Sequence, residues 1–399
     1  MDILFQKHRK KVQQVSLEFM RQAMDGIPWG QRLVGIKGSR GVGKTTLMLQ
    51  YIKKHFPISE DVLYVSLDDI WFASNSLVML ADQFVKYGGK RLFLDEVHKY
   101  PDWARELKNI YDDHAGLQVV FTGSSMLEIL DARADLSRRA VIYRLQGMSF
   151  REYLEMETGL RFPVVSLKKM LSDHVSVTDP ILAQLRPLKY FEQYLEKGYY
   201  PFYKQTGEYY SLQLEEIIKY IIEVELPLLR GVDVLYARKL KALLMIIAES
   251  APFIPNIVKL AERMGINRNT LLTYIHYLEE AELIHSVYKQ AKGITRLQKP
   301  DKILLNNTNI AYIITAGKPD PGSLRESFFV NQSTFNHAAT YAEKGDFILD
   351  EQYLFEIGGR TKGKKQLGEW PEGKRFLVAD DIEYGFRNRI PLWLFGFLY

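Results

Sequence analysis

Eight residues near the N-terminus carry the clearest chemistry in this chain. Gly38-Ser39-Arg40-Gly41-Val42-Gly43-Lys44-Thr45 keeps the spacing G-x-x-x-x-G-K-[ST]. Glycine loses more backbone freedom on folding than any other residue, so three glycines packed this closely imply a need for bare main chain. The need is a phosphate. Successive N–H groups can wrap an anion when no Cβ obstructs them, and a helix beginning at the loop's end adds its partial positive charge. The pattern assigns Lys44 to the β- and γ-phosphates of a nucleotide and the Thr45 hydroxyl to Mg2+, with Thr46 placed to bond the α-phosphate. The nucleotide-binding set is therefore Gly38, Arg40, Gly41, Val42, Gly43, Lys44, Thr45 and Thr46.

A second set supplies the means of hydrolysis. The apolar run "RLFLD" ends in Asp95-Glu96. Asp95 is a candidate to hold Mg2+ through water, beside Thr45, and Glu96 to polarise the attacking water. Taken alone, the pair would equally suit an exposed turn at a strand end. A further run, "LQVVFTGSSM", ends in small polar residues. Ser124 is the candidate contact to the γ-phosphate or the water, with Thr122 and Ser125 as competitors, and Ser124 or Ser125 would also serve as a helix N-cap. Arg138 and Arg139 precede the next apolar run. A guanidinium there would stabilise charge on the transferring phosphoryl, in cis or from a neighbouring subunit.

Such residues act together only if strands present them at one rim. From Gln31 to about Phe150, five short apolar runs ("RLVGIKG", "VLYVSL", "RLFLDE", "LQVVFTGSS", "AVIYRLQ") alternate with helical segments. Alternation of this kind predicts a parallel sheet with helices on both faces, and catalytic loops at the strands' C-terminal ends. Before it, Val12, Val15, Phe19, Met20 and Ala23 share one face of an expected N-terminal helix, ended by Gly26 and Pro28. Residues 151–230 read as mostly helical, with a tyrosine-rich break at "GYYPFY".

"PNIVKLAERMGINRNTLLTYIHYLEEAELI" (255–284) reads as two helices around a turn at Gly265. Ile257, Leu260 and Ala261 face inward on the first, and Leu271, Leu272, Ile275 and Leu278 on the second. Asn267 or Asn269 caps the second helix. Arg268, Asn269, Thr270, Thr273 and His276 are then exposed on a candidate recognition helix, with Arg296, Lys299 and Lys302 in a following wing. Residues 255–302 are thus a candidate DNA contact. Packing against protein is the competing use, since Glu279, Glu280 and Glu282 lie close by.

Composition narrows the classes. A chain of 399 residues that is 47% hydrophobic and 25% charged has enough apolar material for two or three folded domains. It holds no cysteine, which excludes disulfides, thiolate zinc sites and cysteine catalysis. No run approaches the roughly 18 apolar residues of a membrane span, and the N-terminus has no signal-peptide pattern, so a cytoplasmic location without membrane partners is expected. A net charge of +5 permits contact with nucleic acid without requiring it.

The series "GSRGVGKTT", "LDEVHKYPDW", "FTGSSMLEI" and "RLQGMSFREYLE" resembles a large prokaryotic group of AAA-type ATPases of the P-loop class with an added catalytic glutamate. Where that group has a proline before its Ser-Phe pair this chain has Met148, and the group's "GR" is Arg138-Arg139. His98 lies just past Asp95-Glu96, where glutamine is frequent. The resemblance covers most of the chain. It implies ATP binding and hydrolysis, a helical linker with a break matched by "GYYPFY", a winged helix, and a C-terminal domain similar to PD-(D/E)XK nucleases. In that domain Asp346 and Glu356 match the two metal-binding acids, Gly358 stands at the lysine position, Glu326 is a further acid, and Lys362 is a candidate replacement lysine. The cluster Arg360 and Lys362–Lys365 would hold a phosphate backbone or lie in a solvated loop. A degenerate nuclease shell is the expectation.

The expected fold class is an α/β P-loop NTPase, followed by a helical and winged-helix module and an α+β restriction-endonuclease-like domain. The expected divisions are residues 1–150 (ATPase with its N-terminal helix), 151–230 (helical linker), 231–300 (winged helix-turn-helix) and 301–399 (nuclease-like). The expected function is a slow Mg2+-dependent ATPase switch coupled to modules that bind DNA or a protein client, compatible with an oligomer. Alternatives are an ATP-responsive DNA-binding regulator without significant hydrolysis and a Mg2+-dependent nuclease.

Overall fold

The five apolar runs become five short strands. In the computed structural model they are β1 (Leu33–Lys37), β2 (Val62–Ser66), β3 (Arg91–Asp95), β4 (Gln118–Gly123) and β5 (Val141–Arg144). The structure describes residues 1–56, 59–123, 136, 138–230, 234–250, 254–289, 299–363 and 370–399. The strands form one all-parallel sheet in the order β2-β3-β4-β1-β5. β1 to β4 are buried along most of their length, as strands covered on both faces must be. This order places β4 between β1 and β3, so the loops after β1 and β3 open at the same rim and flank the end of β4.

Helices α2 (Lys44–His55), α3 (Leu77–Lys86) and α4 (Trp103–Asp113) connect the strands. The chain begins with α1 (Asp2–Gln14), which buries Leu4, His8 and Val12 at i, i+4 and i+8. Of the expected N-terminal helical face, only Val12 lies in it. Val15 is already extended, and α2 supplies the reason. Gln50 donates to the carbonyls of Ser16 and Phe19 at 2.8 and 2.7 Å, and Lys53 donates to those of Gln13 and Val15 at 2.9 and 2.6 Å. Polar side chains thus take up carbonyls that a longer helix would have bonded internally.

The chain divides into two compact units, Met1–Gly147 and Met148–Tyr399. The second opens with α5 (Phe150–Thr158), whose start is fixed by a reciprocal capping box between Ser149 and Glu152. Helices α6 (Leu167–Leu182), α7 (Tyr210–Tyr220) and α8 (Val234–Glu249) follow, then α9 (Ile257–Met264) and α10 (Arg268–Glu280). β6 (Ile284–Val287) and β7 (Lys302–Leu305) form an antiparallel pair. After α11 (Thr308–Ile314) and α12 (Pro321–Ser333), a five-stranded mixed sheet completes the unit. It comprises β8 (Ala339–Tyr341), β9 (Phe347–Leu349), β10 (Tyr353–Gly358), β11 (Arg375–Ala379) and β12 (Arg389–Pro391), in that spatial order.

The tyrosine-rich break is a buried junction. Asn309 accepts from the Tyr199 amide and the Tyr210 hydroxyl at 3.0 and 2.6 Å, and donates to the carbonyls of Tyr194 and Leu195. Gln332 donates to the hydroxyls of Tyr194 and Tyr399. Every capacity of the Asn309 amide is used, so residues 194–210 are fixed to α11 and α12. Among the described residues no helix is long and apolar enough to cross a membrane.

β2 is an edge strand, and α1 covers it. The Tyr64 amide, facing away from β3, donates to Nδ1 of buried His8 at 2.9 Å. Burial, with a smaller contribution from Arg9, pushes His8 down from 6.5 to about 4. The folded protein refuses a proton that the unfolded chain accepts. The stabilisation is therefore complete above pH 6.5 and declines as pH falls toward 4, by about 3 kcal/mol in all. Urea unfolding followed from pH 7 to pH 4 should show this slope in the parent and a flatter one in His8→Leu, which should also lose about 1 kcal/mol at pH 7.

Candidate functional site

The loop after β1 is shaped for an anion. Gly41 and Gly43 lie in the left-handed region at φ 89° and 91°, and α2 begins at Lys44, directing its first N–H groups into the loop. A Cβ on Gly38 would overlap the carbonyl oxygen of Leu145, whose amide in turn donates to the Lys37 carbonyl at 2.7 Å. Arg21, buried, braces the loop from behind by donating to the carbonyls of Val42, Gln146 and Gly147 at 3.1, 2.6 and 2.9 Å. Lys44 is 5% exposed, and its ammonium donates to the carbonyls of Gly38 and Ser39 at 2.7 and 3.0 Å. The Val42 side chain is fully buried, so it offers the site only main chain; Arg40 and Thr45 are half-buried and Thr46 is exposed.

Asp95, at the end of β3, is 3% exposed. Its Oδ2 accepts from the Thr45 hydroxyl and the Tyr64 hydroxyl, each at 2.8 Å, and its Oδ1 accepts from Thr122. Three hydroxyls therefore supply the hydrogen bonds that so buried a carboxylate needs. Burial, then the charge of Asp95, pushes the Tyr64 phenol well above its usual range, so it remains a donor. The Lys11 ammonium lies 3.5 Å from the same phenol oxygen.

Glu96 follows with φ 52° and ψ 41°, a left-handed conformation unusual for a non-glycine residue. Its Oε2 lies 3.3 Å from Nε2 of His98, whose side chain is 3% exposed. Burial chiefly, then the nearby Lys99, Arg40 and Lys44 charges, pushes His98 down to about 3. Together, the glycine-rich loop, the buried ammonium on its carbonyls and the hydroxyl already bonded to a buried acid fit a Mg2+-bearing phosphate chain.

The structure brings Lys44, Thr45, Asp95 and Glu96 to one rim, and adds Tyr64, Thr122, Arg21 and His98. Sequence reasoning gave Thr122 only as a competitor of Ser124 and missed Tyr64 and Arg21. Ser124 and Ser125 lie outside the described residues. The signal for Tyr64 and Thr122 is register: β2 pairs Ser66 with Asp95, which puts Tyr64 on the same face, and β4 pairs Phe121 with Leu94.

Arg138 and Arg139 are elsewhere. They precede β5, whose first residue pairs with Val34, whereas the phosphate loop leaves the other end of β1. A strand's length, on the order of 13 Å, separates the two ends. Arg139 is also engaged, with both carboxylate oxygens of Asp112 at 2.9 and 2.8 Å, and Arg138 is exposed at φ 69°. Both arginines thus stand before β5, at the end of the sheet opposite the one where the glycine-rich loop leaves β1.

In the second unit, Asn256 caps α9, Gly265 makes the turn at φ 60°, and Asn267, not Asn269, caps α10 by accepting from Thr270 at 2.8 Å. Arg268, Asn269, Thr273 and His276 are exposed and Thr270 half-exposed, while His276 lies 3.3 Å from Glu280. Leu272 is only half-buried, and Tyr274 takes the inward place beside Ile275. Lys299 is exposed and Arg296 lies outside the described residues. Lys302 is not a phosphate contact: it is 2% exposed, 2.7 Å from Glu326 and 3.7 Å from Asp346.

The acids of the expected nuclease pattern are near these cations. Asp346 accepts from the Ile357 amide at 2.7 Å, and buried Glu356 pairs with Lys362 at 3.3 Å. The Lys362 chain runs over Gly358, where a Cβ would stand 2.6 Å from its carbons. Burial, offset by Lys302, raises Glu326 above its usual value. Among the described residues no group of three or more His, Asp or Glu side chains is arranged to hold a metal ion. Lys364 and Lys365 lie outside the described residues.

An AAA-domain family model matches residues 30–154, and a model for a domain of unknown function matches residues 188–320. An uncharacterized protein of Methanocaldococcus jannaschii is 25% identical over 420 residues, covering 96% of this chain and 88% of that one. Among solved structures, the chain is similar to a Walker-type ATPase of Pyrococcus abyssi at 12% identity and a TM-score of 0.41, covering 77% of this chain and 95% of that one. It is similar to the Aeropyrum pernix ORC1 protein, solved in complex with DNA, at 14% identity and a TM-score of 0.30, covering 74% and 88%. The residues matched by the AAA-domain model, 30–154, hold the five-stranded parallel sheet and the glycine-rich loop.

Gly38→Ala tests the fit of the loop. The added methyl has no room against Leu145, so the variant should unfold about 2 kcal/mol more easily in the absence of nucleotide and bind fluorescent ATP analogues at least tenfold more weakly. Thermal unfolding and a fluorescence titration check both effects.

Proposed function

We propose that the first unit binds ATP with Mg2+ and hydrolyses it slowly, and that the second unit carries the response as a switch. One observation supports this most strongly: the Thr45 hydroxyl is bonded to Asp95 at 2.8 Å, at the mouth of the loop that encloses Lys44. Lys44 would exchange the loop's carbonyls for phosphate oxygens, with Gly38, Arg40, Gly41, Val42, Gly43 and Thr46 lining the cradle. Thr45 and Asp95 would hold the metal, the first directly and the second through water. The metal ion, when bound, would neutralise phosphate charge as a Lewis acid. Glu96 would accept a hydrogen bond from the attacking water and polarise it, and Ser124 would contact the same region. Slow turnover follows from the placement of Arg138 and Arg139 at the opposite end of the sheet, so either would act only on a neighbouring copy.

Lys44→Ala should abolish ATP binding by isothermal titration. Glu96→Gln should retain binding within about threefold and lose turnover at least a hundredfold. Equal turnover in Glu96→Gln and parent removes Glu96 from its role.

A DNA-responsive regulator is the second reading. The exposed face of capped α10, with Arg268, Asn269 and Thr273 directed to solvent and the β6–β7 pair next in the chain, supports it. The acids around Lys302 and Lys362 suit a scaffold in which ammonium groups neutralise the carboxylates, more than a Mg2+ nuclease. Binding of duplex DNA measured between 50 and 200 mM salt should weaken steeply in the parent and with a shallower slope in Arg268→Ala. Absence of any DNA binding at 50 mM salt would leave a protein client as the recipient of the switch.

A further inference from the structure

Tyr64 lies outside the glycine-rich loop, yet its hydroxyl reaches the acid proposed to hold the metal. It donates to Asp95 Oδ2 at 2.8 Å, on the oxygen that also accepts from Thr45 at 2.8 Å, while Thr122 bonds Oδ1. Donors on both oxygens, from three separate segments, fix the plane of the carboxylate against rotation about its Cβ–Cγ bond. The three donors differ in what positions them. Thr45 lies in the first turn of α2, beside the loop, and is itself assigned to the metal. Tyr64 and Thr122 belong to strands β2 and β4, so the sheet sets their places. Of these two, Tyr64 acts on Oδ2, the oxygen turned toward the loop.

The Tyr64 main chain is bound on both edges. It is in register with Phe93 of β3, and its amide donates to Nδ1 of His8 in α1 at 2.9 Å. The residue is 2% exposed, so close packing confines the ring. The Lys11 ammonium, 3.5 Å from the phenol oxygen, can only donate, which leaves the single phenol proton for Asp95. A donor confined in this way loses little further freedom in making its bond. Partners of this kind, bonded to a metal ligand and not to the metal, orient the ligand and raise affinity for the ion.

We propose that Tyr64 is a positioning residue for Asp95, its hydroxyl holding Oδ2 so that the carboxylate is aimed at the water on Mg2+. The proposal rests on the reading of Asp95 as the acid that holds Mg2+ through water. Phenylalanine keeps the ring and removes the donor, so Tyr64→Phe isolates this one bond.

The experiment measures the Mg2+ requirement of nucleotide binding, without turnover. A fluorescent, non-hydrolysable ATP analogue is bound to the full chain in EDTA, and Mg2+ is then titrated in, for the parent, Tyr64→Phe, Asp95→Ala and the double variant. Tyr64→Phe should raise the Mg2+ concentration at the midpoint about tenfold, with affinity for the analogue in EDTA within twofold of the parent. In the Asp95→Ala background the same substitution should move the midpoint less than twofold, because the acceptor is gone. A merely structural role would weaken analogue binding in EDTA and leave the midpoint in place. A parental midpoint in Tyr64→Phe, or an equal shift in both backgrounds, overturns the proposal. If either variant does not fold, a 13Cζ label placed at Tyr64 alone decides. Its signal in the analogue-loaded parent should move when Mg2+ is added, and an unmoved signal overturns the proposal. A midpoint that is the same in Asp95→Ala as in the parent refutes the reading of Asp95, and the proposal falls with it; a midpoint shifted in Asp95→Ala but not in Tyr64→Phe removes the proposal alone.

Discussion

The Asp95 carboxylate is the constraint around which the first unit is arranged. A buried anion needs donors, and the sheet provides three hydroxyls from three different segments: Thr45 at the start of α2, Tyr64 from β2 and Thr122 from β4. Each bond is also a statement about topology. β3 must be flanked by β2 and β4 for Tyr64 and Thr122 to reach it, and α2 must begin beside the end of β3 for Thr45 to do so. The parallel order satisfies all three at once. Tyr64 then connects this centre to α1, because its amide is held by His8 and its phenol lies beside Lys11.

The phosphate loop is held by a second set of restraints that depend on main chain. Arg21 spends its guanidinium on the carbonyls of Val42, Gln146 and Gly147, and Gly38 lies directly against Leu145. The loop is therefore fixed to residues 145–147, where β5 has ended. A pre-shaped anion cradle of this kind loses little further entropy on binding. It also gives the Lys44 ammonium a defined resting place on the carbonyls of Gly38 and Ser39, within the cradle itself.

The second unit uses charge differently. Lys302 and Lys362 neutralise Glu326, Asp346 and Glu356 in a largely buried cluster, and the Lys362 chain fills the space above Gly358. Buried charges of opposite sign persist when each has a partner, and removing one partner is far more damaging than never having had the pair. The amide network of Asn309 and Gln332 with the tyrosines fixes the linker helices to α11 and α12 in the same manner, by complete use of polar capacity.

The sequence by itself determined much of the first unit. All five strands were legible as apolar runs, β1 to β4 most plainly, because a strand covered on both faces leaves a continuous hydrophobic record. That Lys44, Thr45, Asp95 and Glu96 meet at one rim was legible because a glycine-rich loop and a strand-end pair of acids are local patterns of residue type and spacing. The turn at Gly265 and the cap at Asn267 were legible for the same local reason. What the tertiary structure decided depends on pairing across distance. Whether Tyr64 meets Asp95 is a matter of register, whether Arg139 reaches a phosphate is a matter of which end of β5 it occupies, and whether Lys302 is a wing residue or a buried counter-ion depends on where α12 packs. α1 stops at Gln14 because Gln50 and Lys53, 31 to 40 residues on, capture the carbonyls of Gln13, Val15, Ser16 and Phe19. Local pattern records what a residue can do, and only the fold sets which partner it does it with.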